Sequence, residues 1–122
     1  MAAAEAQRLL YVLRRSPYDS LRPLETIDAI LVAAVFELSV GVLFLEDAVW
    51  QLVPPQRSAP ATKNIAQQLS VLPTYEVESI WVCTESLRQR GLNSSDLVLP
   101  VTTVTMEQQQ ALLNSYPVVL ND

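Results

Sequence analysis

Three unbroken apolar runs, separated by helix-like segments, constrain this chain more than any other feature. Leu9–Leu13, Val40–Leu45 and Ser79–Cys83 are apolar at nearly every position rather than at every second one. A strand with one wet face alternates apolar and polar residues, so an unbroken run calls for a strand covered on both faces, as in parallel sheets. Between the runs, Leu24–Leu38 reads as a helix, with Glu25 and Asp28 in its first turns, where acids suit the helix dipole. Glu46–Leu52 reads as a short helix at the end of the second strand, and Thr62–Leu72 as an amphipathic one with Ile65, Leu69 and Leu72 on one face. A helix from Thr84 is stopped by Gly91. A further short strand lies within Leu97–Thr105, followed by a helix over Met106–Asn114 and a last strand over Pro117–Leu120. Arg14–Pro23 and Val53–Ala61 hold prolines and read as loops. Strands alternating with helices predict an α/β fold. It has three layers, with a mostly parallel five-stranded sheet flanked by helices, flavodoxin/Rossmann-like in topology. The 122 residues suffice for one domain, 1–122, with 1–7 as a flexible N-terminal extension.

Composition narrows the function. Half the residues are apolar and 17% are charged, so part of the apolar material is expected at an interface. The Leu24–Leu38 helix is apolar nearly all round, which also points to a covering partner and hence an oligomer. A net charge of −5 gives no basic footprint for direct nucleic-acid binding. One cysteine excludes an internal disulfide, and the absence of histidine leaves few zinc ligands and no usual general base. With two glycines there is no G-x-G-x-x-G and no P-loop, so neither a dinucleotide cofactor nor a metal is expected. Ile27–Leu45 contains Asp28, Glu37 and Gly41, and an Asp in mid-membrane costs about 2.5–3.5 kcal/mol, so no membrane span is expected there. The N-terminus lacks a signal-peptide pattern, and a soluble cytoplasmic protein is the expectation.

Cys83 is the one residue with plausible nucleophilic chemistry. It sits where a strand runs into a helix, the edge at which open α/β sheets place their ligands. A helix N-terminus and Arg88 would favour a thiolate there, and Glu85 would oppose it. Two roles are open: a nucleophile, or a small buried hydrophobe at a strand end. Arg14, Arg15 and Arg22 border the first loop, at the same sheet edge. Arg22 is a candidate for meeting an acidic partner, whereas Arg14 and Arg15 read as a solvated face or local ion pairs. Trp50 is an interface candidate and Trp81, inside a strand, is expected in the core. Glu46 and Asp47 read as a helix N-terminal charge pair.

Three stretches resemble the DsrE/DsrF/DsrH-like proteins. They are 10–18 with 24–31, Val42–Leu52 (similar to "F-F-x-x-D-G-V-x-Q-L") and Trp81–Leu92 (similar to "W-V-C-x-x-S-L-R-x-R-G-L"). The likeness runs from about Leu9 to Leu120 and looks closest to the TusC/DsrF type. Ala48 stands where that pattern has glycine, and Tyr18-Asp19 where the first loop usually has His-Gly. The resemblance implies a sulfur-relay subunit that assembles with TusB-like and TusD-like partners. Such a complex passes persulfide sulfur to a TusE/DsrC-like carrier for 2-thiolation of tRNA wobble uridine. Alternatives are a DsrF-like role in sulfur oxidation, a sulfurtransferase using Cys83 as its own persulfide acceptor, and a stand-alone oligomeric binding module. Because the family's relay cysteine is generally assigned to the TusD/DsrE-type subunit, the resemblance implies mainly an assembly role here.

Overall fold

The computed structural model describes residues 7–17, 21–54 and 65–122. Five strands form one wholly parallel sheet in the order β4-β3-β2-β1-β5: β1 (Arg8–Leu13), β2 (Ser39–Phe44), β3 (Ser79–Cys83), β4 (Thr102–Val104) and β5 (Val118–Asn121). The helices are α1 (Arg22–Val35), α2 (Ile65–Leu69), α3 (Thr84–Gln89) and α4 (Met106–Ser115), with 3-10 segments at Glu46–Leu52, Leu72–Tyr75 and Ser94–Asp96. This is the three-layer α/β fold expected from the apolar runs.

Strand parity and crossover handedness fix the layers. From β1 to β4 every step moves the same way across the sheet, and right-handed crossovers then put the connecting helices on one face. There Ile27, Ile30 and Ala33 of α1, Ile65 and Leu69 of α2 and Leu87 of α3 pack with Leu13, Val42, Phe44, Ile80 and Val82. The step from β4 to β5 reverses direction, so α4 lies on the other face. Its Leu112 and Leu113 cover a smaller cluster of Leu10, Val12, Leu43, Leu45, Cys83 and Val104.

Several boundaries differ from the sequence reading. The first helix starts two residues before Leu24, with Pro23 in its first turn, and ends at Val35 rather than Leu38. Its stop is Glu37 at φ 65, a left-handed residue, with Leu38 N–H donating to the Ala33 carbonyl at 3.2 Å. That position usually carries glycine, so no sequence signal marked it. The helix read over Thr62–Leu72 is α over Ile65–Leu69 and 3-10 from Leu72, where Pro73 and the left-handed Glu76 bound the turn. The segment over Glu46–Leu52 is 3-10, and the strand within Leu97–Thr105 is three residues long. The expected extension over 1–6, the Tyr18-Asp19 departure and the 55–61 part of the second loop lie outside the described residues.

Candidate functional site

The connections leaving β1, β2 and β3 meet at the carboxyl edge of the sheet and are tied to one another. Glu46, left-handed at φ 53, turns the chain out of β2 and points its N–H at Ser86 Oγ, 2.9 Å away on α3. Arg90 donates twice to Asp47 Oδ1, at 3.1 and 2.9 Å, and once to the Ser86 carbonyl at 3.1 Å. Arg14 Nε lies 3.6 Å from Glu46 Oε2. Gln51, 1% exposed, donates from Nε2 to the Arg15 carbonyl at 2.8 Å. The pair Glu46-Asp47 thus serves two separate arginines rather than one joint site.

In open α/β sheets ligands favour the crevice where neighbouring connections run to opposite faces. Here the connections leaving β1, β2 and β3 run to one face and the one leaving β4 runs to the other, so that point lies between β3 and β4, at Cys83 and Val104. At the opposite side of the sheet, Asn121 and Asp122 tie β5 to the loop after β1. The Asp122 carboxylate accepts from the Arg14 N–H at 3.2 Å and the Arg15 N–H at 3.3 Å, and the Arg14 guanidinium donates to Asn121 Oδ1 at 2.7 Å.

Cys83 is the last residue of β3 and precedes the first residue of α3. Its parity decides its surroundings. Val82 joins the α1-side core, and Cys83, one residue on, turns to the α4 side beside its register partner Val104. The thiol therefore lies under the start of α4 rather than among the three tied connections. It is 2% exposed, and its Sγ sits 3.7 Å from Met106 Sδ. Arg88, expected to act on the thiol, is committed to Glu85: its Nε donates to Glu85 Oε1 at 3.0 Å and its NH2 pairs with Oε2. That hydrogen bonding holds the Glu85 carboxyl below the usual range. Arg90, the other nearby base in sequence, is committed to Asp47. Helix α3 has six residues, too few to build a substantial dipole.

Arg22 opens α1 and is exposed, and Trp50 is half-buried in the 3-10 segment after β2. Both lie on elements that leave the same sheet edge as Cys83, two strands and one strand away respectively. Trp81 is half-buried rather than core. Its ring meets Tyr116 edge-on at 6.1 Å and lines a groove of about 430 Å³ with Thr102, Val104, Gln108, Leu112 and Ser115. The outer side of α1 exposes Val32, Val35 and Phe36, the last at 74%.

Sequence reasoning missed Met106, Ser86 and Asp122. A signal existed for Met106: Thr105-x-x-Gln108 is a capping box, and both of its hydrogen bonds form, at 3.1 and 2.9 Å. That box fixes Met106 as the first residue of α4. Among the described residues no group of three or more His, Cys, Asp or Glu side chains could hold a metal ion, and no helix is long and apolar enough to cross a membrane.

The chain is similar to known proteins in sequence and in shape. The chain is 34% identical over 109 residues to the Protein TusC homolog of Vibrio vulnificus, covering 88% of this chain and 92% of that protein. It is 35% identical over 116 residues to the Protein TusC homolog of Pseudomonas aeruginosa, covering 94% and 98%. The crystal structure of the ychN protein from E. coli superposes with a TM-score of 0.81 at 22% identity, covering 95% of this chain and 99% of that one, a likeness of fold. The model of the DsrE/DsrF-like family matches residues 7–121, and the chain belongs to that family.

Proposed function

We propose that this chain is a TusC-like subunit of a heteromeric sulfur-relay complex and contributes mainly to its assembly. The partners are TusB-like and TusD-like subunits, and the complex passes persulfide sulfur to a TusE/DsrC-like carrier for 2-thiolation of tRNA wobble uridine. The observation that supports an assembly role is the state of the chain's single thiol. A relay cysteine needs access and an electropositive setting. Cys83 is buried beneath a thioether, and Arg88 and Arg90 are both committed to carboxylates. The exposed apolar side of α1 supplies a surface that a partner subunit can cover.

The test is co-purification of this chain with its TusB-like and TusD-like partners, followed by a transfer assay to the carrier. Cys83→Ser should leave both assembly and transfer nearly intact. Val32→Asp with Phe36→Asp should weaken assembly by about 2 kcal/mol or more, as central apolar interface residues do, while circular dichroism of the isolated chain stays unchanged. A complex that assembles normally but stops transferring sulfur on Cys83→Ser alone would overturn the assembly reading in favour of a catalytic thiol.

A further inference from the structure

We infer that Met106 is a gate over Cys83: the thiol is closed off by one movable side chain and reached by its rotation, without opening of the fold. The inference concerns access to the sulfur and does not depend on whether this subunit relays sulfur.

The walls around the thiol are unequal. Leu10, Val12, Leu43, Leu45 and Val104, the other buried members of its cluster, are each no more than 6% exposed and belong to strands or strand ends of the sheet. Such side chains are held on all sides and cannot swing away without disrupting the sheet. Met106 differs in kind. Its Sδ is 3.7 Å from Cys83 Sγ, yet the residue is 59% exposed. It therefore covers the thiol with its tip while much of its length faces solvent. A methionine side chain has three rotatable bonds and few branching constraints, and an exposed one changes rotamer on the picosecond-to-nanosecond scale. The backbone beneath it does not need to move. Thr105 and Gln108 lock the start of α4 through the reciprocal capping bonds, so the hinge is the side chain and not the helix.

The direction of opening follows from the topology. Cys83 and Val104 are register partners on β3 and β4, and β4 is the edge strand. Displacing Met106 exposes Sγ toward the start of α4, at the point between β3 and β4 where neighbouring connections run to opposite faces, and far across the sheet from Asp122. A small soft electrophile then approaches from the α4 face.

The experiment follows alkylation of Cys83 by iodoacetamide in the folded, full-length chain. The chain has one cysteine, so mass spectrometry reads a single rate. Met106→Ala removes the cover and should speed alkylation roughly tenfold or more, because the rate is no longer reduced to the small fraction of time that the fast-moving cover is open. Met106→Leu keeps a flexible apolar cover of similar size and should stay within about threefold of the parent. Leu112→Ala removes another α4 side chain packed on the same cluster and leaves the Met106–Cys83 contact in place, so it reports loosening of the helix. If Met106→Ala gives no acceleration, or no more than Leu112→Ala gives, the thiol is reached by loosening of the helix and the gate is refuted. Acceleration by Met106→Ala beyond that of Leu112→Ala supports it, even if both variants lower the unfolding midpoint.

Discussion

Replacing Gly41 with alanine would test the contact that seats the end of α4 on the sheet. Gly41 lies on β2 opposite Leu10 of β1, and a Cβ built there would stand 2.5 Å from the Tyr116 hydroxyl oxygen and 2.7 Å from Cζ3 of Trp81. Both distances are far inside van der Waals contact, so both rings must move. They are not free to move without loss. Trp81 and Tyr116 meet edge-to-face at 6.1 Å, and the Arg8 guanidinium sits 4.4 Å from the Tyr116 ring centroid. Overpacking costs about 1–3 kcal/mol, and weakening the ring pair and the cation–π contact adds about 1 kcal/mol. Against this, alanine recovers roughly 0.5–1 kcal/mol of the backbone entropy that glycine loses in a strand. The balance is a loss of about 2 kcal/mol, set mainly by the overpacking. With a urea m-value of about 2 kcal/mol/M, the unfolding midpoint should fall by about 1 M. Adding Tyr116→Ala removes the nearest obstacle, so the double variant should lose less than the sum of the singles. A Gly41→Ala midpoint equal to or above the parent's would refute the argument, since it would mean that the rings accommodate the methyl without cost.

Glu37 at φ 65 occupies the left-handed stop of α1 with an exposed carboxylate, so Glu37→Gly should raise stability by about 0.5–1 kcal/mol in urea melts; a lower midpoint would show that the side chain holds the turn. Glu85 has its carboxyl held below the usual range first by the Arg88 hydrogen bond and further by the Arg88 charge. A depressed folded value means that its stabilising effect is present at neutral pH and is lost as pH falls below the ordinary glutamate range through that value. Side-chain NMR titration should place the Glu85 midpoint back in the ordinary range in Arg88→Gln, and an unchanged midpoint there would remove Arg88 as the cause.

The strands and their covering layers were legible because their physical signal is local. Val40–Leu45 and Ile80–Cys83 are apolar at every position, and only a two-sided environment accepts that pattern. The ends of elements were less legible because this chain has two glycines: Gly91, at φ 68, stops α3 as read, but the other left-handed positions are filled by other residues. Glu37, Glu46 and Glu76 all take positive φ, a conformation that glutamate disfavours and for which sequence gives no warning. Trp81 shows a different limit. A tryptophan in an apolar strand reads as core, but the α4 side of the sheet has one helix of ten residues to cover it, and the ring stays half-buried at a groove.

The thiol's setting depended on parity, which the sequence held but a reading of positions along the chain did not use. A strand end and a helix start placed Cys83 at the carboxyl edge, and the structure puts it there. Which face it takes follows from its neighbours: Ile80 and Val82 belong to the larger core beneath α1, so Trp81 and Cys83 must face the other way. On that face the cover comes from the crossover after β4, the one step that reverses direction across the sheet. The register of Cys83 with Val104 then brings the residue two places further along the chain, Met106, to the sulfur. Access to the thiol is therefore set by α4, the helix on the opposite face from α1, α2 and α3, while the charges beside it in sequence, Glu85 and Arg88, are spent on each other.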